Sequence, residues 1–279
     1  MDISLILAFL ALGAAVGFAA GLLGIGGGLL LVPCFTFLFT SVGVPGERLV
    51  HMGIATSLGT IMFTSISSVL AHHRRDAVSW HIVKVLAPGI LIGSWIGPWI
   101  GKQLNSAGLA MFFAVFVTIS ATQMLLDKKP AASRELPGPL GMFAAGGVIG
   151  ILSGLVGAGG GFVSVPFMTW CNVKIHDAVA TSAALGFPIA LAGTLSNIYY
   201  GMNTPDLPPG SLGFVYLPAL LIVSLASVLT APLGARTTHS LPVKSLRKVF
   251  ALSLFALGGI CFTRRCVRYL LRTKACPPS

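Results

Sequence analysis

The sequence predicts an all-α polytopic membrane protein made of two five-segment repeats, and three observations carry that expectation. Hydrophobic residues make up 55% of the 279 and charged residues only 9%, with a mean hydropathy of +0.90, whereas soluble domains carry roughly 25% charge. Apolar runs follow one another along nearly the whole chain, separated by short polar pieces. A glycine-rich motif near the start returns in the second half with the same landmarks behind it. Little length is left for the separate soluble domain that hydrolases and nucleotide-dependent kinases use.

The first copy has apolar segments near residues 3–22, 27–41, 53–71, 82–101 and 107–126, and the second near 138–156, 160–172, 179–200, 212–235 and 245–262. A membrane helix needs about 20 apolar residues. The second segment of each copy is shorter, and at ~1.5 Å per residue it falls short of a ~30 Å hydrocarbon core. These two read as broken or re-entrant pieces, which gives about ten transmembrane segments, or eight if the short ones turn back. The domains are then a first membrane repeat over 1–126, a polar linker over 127–137, a second repeat over 138–263 and a basic tail over 264–279.

The duplication is read from four landmarks. Residues 21–35 (GLLGIGGGLLLVPCF) return at 154–168 (GLVGAGGGFVSVPFM), an offset of 133. Ala55-Thr56-Ser57 returns as Ala180-Thr181-Ser182, the stretch from Pro88 to Ser94 loosely as Pro218 to Ser224, and Pro98 with Lys102 as Pro232 with Arg236. An odd number of crossings per copy makes the second copy enter from the opposite face, so the halves are inverted repeats. If the short segments do not cross, the halves are parallel instead.

The net charge is +11, yet nucleic acid is not the expected partner. Arg74 and Arg75, then Lys128, Lys129 and Arg134, then Arg236, Lys244, Arg247 and Lys248 occupy short pieces between apolar runs, as cytoplasmic loops do. That assignment puts both termini outside, and the tail with Arg264, Arg265, Arg268, Arg272 and Lys274 conflicts with it. The tail is also suited to anionic lipid heads. The N-terminal stretch lacks a basic leader region, so it reads as the first membrane helix. The five cysteines form no Cys-x-x-Cys pair and have no histidine at ligand spacing, so neither a metal nor a disulfide framework is expected. No cofactor motif is present: the glycine run lacks the Lys-Ser/Thr of a phosphate-binding loop and a preceding strand.

The glycines are the leading candidate site. Gly24, Gly26, Gly27 and Gly28, and Gly157, Gly159, Gly160 and Gly161, interrupt membrane segments where backbone groups cannot be left facing lipid. The helix that restarts after each break offers N–H groups and a positive dipole end, which suits an anion. The bland reading is that small residues let helices pack closely. Thr56, Ser57, Thr181 and Ser182 add hydroxyl donors, with an N-cap or a back-bond to the helix as their ordinary alternative. Asn197 with Ser196, and Ser67 with Ser68, extend the polar lining. No Asp or Glu lies mid-segment, and the histidines (His51, His72, His73, His81, His176 and His239) lie near ends. If protons drive movement of a substrate, they enter on that substrate or through an end-placed histidine.

The doubled Gly-Leu-[LV]-Gly-[IA]-Gly-Gly-Gly run, the Val-Pro after it and the downstream Ala-Thr-Ser resemble the TauE/SafE family of bacterial sulfite and organosulfonate exporters, from about residue 5 to 262. The resemblance implies a carrier of the bacterial inner membrane moving a small sulfur-containing anion such as sulfite, an organosulfonate or thiosulfate. It carries onto Gly24, Gly26 to Gly28, Pro33, Thr56 and Ser57, and onto Gly157, Gly159 to Gly161, Pro166, Thr181 and Ser182. The expected activity is secondary transport by alternating access, not catalysis. The competing classes are a passive anion channel and an intramembrane sulfur-handling protein using Cys34 and Cys171. These cysteines do not match, because the offset of 133 pairs Cys34 with Phe167.

Overall fold

The computed structural model describes residues 2–23, 27–73, 77–126 and 135–237. Nine helices fill them: α1 Ile3–Leu23, α2 Gly28–Val42, α3 Leu49–His73, α4 Trp80–Gln103, α5 Ser106–Leu126, α6 Pro139–Val156, α7 Gly161–Trp170, α8 Ile175–Gly201 and α9 Leu217–Thr237. Seven of them are long and apolar enough to cross a membrane, and α2 and α7 are the short second segments of the two copies. The expected segment 245–262 and the basic tail lie outside the described residues.

One expected boundary is corrected. The ninth apolar segment begins at 212 by hydropathy, but residues 211–216 form a two-stranded antiparallel hairpin, β1 Ser211–Leu212 paired with β2 Val215–Tyr216, and α9 starts only at Leu217. The Pro208-Pro209 pair precedes it, and Gly210 (φ 87°) and Gly213 (φ 55°) take left-handed conformations that turn the chain. The fold is therefore nearly all helical.

Corresponding helices make corresponding contacts. The first helix of each half packs against the fourth helix of the other, α1 on α9 and α6 on α4, while α3 packs on α8 between them. Both crossed pairs run parallel: Gly13 then Gly17 meet Val223 then Ser227, and Gly89, Gly93 and Gly97 meet Phe143, Gly147 and Ile151. The central pair runs antiparallel, with Leu58 against Gly193 and Ser65 against Gly186. Glycine every fourth residue on α4 allows this closeness, since a Cβ at Gly93 would overlap the carbonyl of Gly147.

These contacts also correct two repeat landmarks, Pro88 to Pro218 at an offset of 130 and Pro98 with Lys102 to Pro232 with Arg236 at 134. Gly13 and Gly17 of α1 correspond to Gly146 and Gly150 of α6 at the motif offset of 133, and both sets press on the partner helix. Their partners, Val223 with Ser227 and Leu86 with Ile90, place α4 and α9 in register at an offset of 137. The loose match of Pro88 to Pro218 is therefore not the structural one. It aligned two prolines in apolar surroundings, and packing of small residues sets a different register.

The core forms two main clusters, one around α4, α6 and α8 and one joining α1, α2, α3, α9 and the hairpin. Phe9, Phe35, Phe39 and Tyr216 stack through the second, with Phe35 and Phe39 at 5.3 Å and Phe39 and Tyr216 at 5.5 Å between ring centres. Outward faces are apolar too: Leu221, Leu225, Leu229 and Leu233 form an exposed stripe along α9 at helical spacing. A soluble helix places charges there, and lipid accepts leucine.

Candidate functional site

The second glycine break is described in full. α6 ends at Gly157, whose φ of 71° is left-handed and whose N–H donates to the carbonyl of Ser153 at 2.9 Å. Three residues on, Gly160 (φ 77°) caps α7, and its carbonyl accepts the N–H groups of Val163 and Ser164. In the first half Gly27 (φ 68°) caps α2 in the same way, accepting from Leu30 and Leu31. Gly24 and Gly26 lie outside the described residues.

The two breaks touch. Gly28 lies so close to Gly157 and Ala158 that a Cβ would overlap the Gly157 carbonyl, and it would also meet Ile61 of α3. A Cβ on Gly27 would overlap Val16, one on Gly160 would overlap Ile189, and one on Gly157 would press on Val32 and Ile54. These four glycines are filled in by neighbouring groups, which is the close-packing role that small residues offer. Gly161 is buried as the first residue of α7. Gly159 lines an open space between α1, α3 and α8.

The Ala-Thr-Ser hydroxyls are buried two turns inside α3 and α8, so none is an N-cap. Thr56 Oγ1 accepts the N–H of Tyr216 at 3.1 Å, and Thr181 Oγ1 accepts the N–H of Ser79 at 3.0 Å. Each ties its half to the residue before the fourth helix of a half, Tyr216 before α9 and Ser79 before α4, again at an offset of 137. Ser57 donates to the Gly157 carbonyl at 2.8 Å, and Ser182 accepts from Ser164 at 3.0 Å. Asn197 bonds back to Gly193 of its own helix at 2.8 Å. Ser196 donates to the carbonyl of Trp95, and Ser67 to that of Val228.

The open space is a narrow cavity with room for roughly one water. It is lined by Ala20 of α1, Thr64, Ser65 and Ser68 of α3, Gly159 at the break, and Ser182, Ala183 and Gly186 of α8. Among the described residues, no Asp, Glu, Lys, Arg or His belongs to this lining. Thr64 meets Ser227 of α9 at 2.7 Å, while Ser65 donates to the carbonyl of Met62. Ser68 is 3% exposed, and its hydroxyl has no hydrogen-bond partner among the described residues.

Of the sequence candidates, the cavity gathers Gly159, Ser182 and Ser68, and it leaves Thr56, Ser57, Ser67, Thr181, Ser196 and Asn197 outside. Thr64 and Ser65 also line it and were not among those candidates. A signal for Thr64 was present, since Thr56, Thr60, Thr64 and Ser68 recur every fourth residue and mark one face of α3. The end-placed residues take ordinary contacts: His73 accepts from Trp80 Nε1 at 3.3 Å, and Lys102 stands 5.8 Å from the Tyr200 ring centre. His51 is near an end but buried, with Nε2 at 3.1 Å from the carbonyl of Gly101.

Among the described residues no three His, Cys, Asp or Glu side chains come together as a metal site. The cavity instead offers hydroxyl donors in an uncharged setting between two halves, which is suited to binding rather than bond breaking.

Comparison with known proteins gives the same direction. The family model for the sulfite exporter TauE/SafE matches residues 9–260. A "Probable membrane transporter protein" of Haemophilus influenzae is 40% identical, over 91% of this chain and 96% of that protein. A relative of the same description in Methanocaldococcus jannaschii is 29% identical over 88% of this chain and 91% of its own length. "Probable membrane transporter protein YunE" of Bacillus subtilis is 27% identical over 88% of this chain and 93% of that one. No solved structure matches. With the doubled motif, the apolar helices and the family match running over the same residues, the chain is a multi-pass membrane transporter that belongs to the TauE/SafE sulfite exporter family.

Proposed function

We propose that the protein is a secondary carrier of a bacterial inner membrane that exports sulfite or a related small sulfur-containing anion by alternating access between two inverted halves. The observation that carries this reading is the reciprocal packing of the halves. The first helix of each grips the fourth of the other, while α3 and α8, which correspond in the duplication, meet antiparallel at the centre. Two arms of like construction and opposite sense can rock against each other between equivalent states, and a site at their contact then faces each side in turn.

The cavity beside the contact supports an anion as cargo, because among the described residues no carboxylate belongs to its lining to repel one. Hydroxyls stabilise an anion inside a membrane at far less cost than a buried lysine or arginine would carry when the site is empty. The family description, sulfite exporter, supports a sulfur oxyanion as that cargo.

Counterflow tests the reading. Proteoliposomes loaded with unlabelled sulfite should transiently concentrate labelled sulfite added outside at trace level, because a carrier exchanges one for the other. Labelled sulfite that merely equilibrates would identify a passive pore, and no movement of any sulfur anion would remove the assignment.

A further inference from the structure

Resting on the transport reading above, we infer that the cavity between α1, α3 and α8 is the seat of the cargo, and that it takes an oxyanion bearing a single negative charge, held by the hydroxyls of Ser68, Ser65, Thr64 and Ser182. The site thereby moves from the glycine backbones to a hydroxyl set contributed mainly by α3.

Ser68 is the first argument. Its hydroxyl is buried and unpartnered among the described residues, on the wall of the cavity. An unpaired buried hydroxyl is costly to leave without a partner, and a guest oxygen in the cavity would remove that cost. The neighbouring hydroxyls are available as well. Ser65 bonds to the carbonyl of Met62 and Thr64 to that of Thr60, both on their own helix, with Thr64 also meeting Ser227 of α9 at 2.7 Å. A helix carbonyl already receives a backbone N–H, so such back-bonds are readily exchanged for a better acceptor.

The second argument is the failure of this set to repeat. With Thr56 matched to Thr181, an offset of 125, the positions of Thr64, Ser65 and Ser68 correspond to Ile189, Ala190 and Gly193 of α8. Thr56 and Thr181, which tie the frame together, recur in both halves with equivalent backbone partners. Of the hydroxyls that line the cavity, Ser182 has a counterpart in Ser57, which bonds to the Gly157 carbonyl instead, and the three from α3 have none. The frame is duplicated and the chemistry is one-sided, as expected of a single central site.

Charge selection follows from the lining. With hydroxyl dipoles and no cation among the described residues of the lining, the cost of desolvating a guest rises with the square of its charge, so a dianion is disfavoured far more than a monoanion. The walls are small, namely Ala20, Ala183, Gly159 and Gly186. The space holds roughly one water as described, so admission of an ion requires α3 and α8 to part, the movement that alternating access supplies.

The test uses purified protein in liposomes, labelled sulfite as cargo, and the variants Ser68→Ala and Ser67→Ala. Ser68→Ala removes an unbonded hydroxyl, so it should leave the melting temperature unchanged or higher while flux per folded molecule falls about tenfold, as for one hydrogen bond to a charged group. Ser67→Ala, which removes a bond to Val228 outside the cavity, should lower the melting temperature and leave flux per folded molecule near that of the parent. Excess methanesulfonate, a monoanion, should suppress sulfite flux at constant pH, and excess sulfate, a dianion, should not. Parental flux in Ser68→Ala, or sulfate competing as well as methanesulfonate, overturns the inference while the transport reading stands. A parent protein that moves neither sulfite nor methanesulfonate overturns both.

Discussion

Ser57 donates its hydroxyl to the carbonyl of Gly157 at 2.8 Å, across one hundred residues of sequence, and so joins the central helix of the first half to the glycine break of the second. Both groups are buried. The carbonyl sits at the end of α6, where the backbone has left the helix and this acceptor has lost its intrahelical partner.

Ser57→Ala should therefore cost about 1–3 kcal/mol, since it leaves a buried carbonyl without its donor. Thermal unfolding of the detergent-solubilised protein should show a lowered midpoint. A midpoint equal to that of the parent would mean that another donor replaces Ser57.

Gly160 and Gly43 make an informative contrast. Both are left-handed, with φ of 77° and 83°, but a Cβ at Gly160 would overlap Ile189 while one at Gly43 meets nothing within 4 Å. Gly43→Ala should lose only about 1–2 kcal/mol of backbone strain. Gly160→Leu should sharply reduce the yield of monodisperse protein in size-exclusion chromatography, because strain and overlap coincide. Equal yields would show that the break is looser than its contacts imply.

Thr56→Val and Thr181→Val remove equivalent acceptors from the N–H groups of Tyr216 and Ser79. Each should destabilise by about 1–3 kcal/mol, and hydrogen exchange should quicken at the corresponding amide only. Exchange that quickens at both amides in either variant would contradict the separateness of the two ties.

Gly186→Ala places a methyl at ordinary contact distance, 3.5 Å from Ser65 Cβ and 3.6 Å from the Gly159 carbonyl, on the wall of the cavity. Replacing a mid-helix glycine should leave stability unchanged or raise it by about 0.5–1 kcal/mol. Sulfite flux in proteoliposomes should nevertheless fall, because the methyl takes up space that the cargo needs. Undiminished flux in this well-folded variant would argue that cargo passes elsewhere.

The glycine motif was legible because its composition repeats, but its role was not. From sequence, a break in an apolar segment admits either a ligand or a neighbouring helix. Gly27, Gly28, Gly157 and Gly160 turn out to be filled by Val16, by the opposite break, by Ile54 and by Ile189. Thr64 carried the opposite problem. Hydroxyls in an apolar helix are ambiguous singly, because each can bond back to its own helix, and only the stripe at every fourth position separates them from background.

The amino-acid sequence by itself determined that the chain lives in a membrane, where each of the nine apolar segments within the described residues begins to within a few residues, and that a unit recurs at an offset of 133. These follow from local composition, since hydrocarbon tolerates few charges and a helix satisfies its own backbone. Tertiary structure decided which helices cross between the halves, the offset of 137 that aligns α4 with α9, and which of many similar hydroxyls stays unbonded beside open space. Those depend on distances between residues far apart in the chain. A serine that ties two helices together and a serine that waits for a guest are the same letter until the opposing atoms are in place.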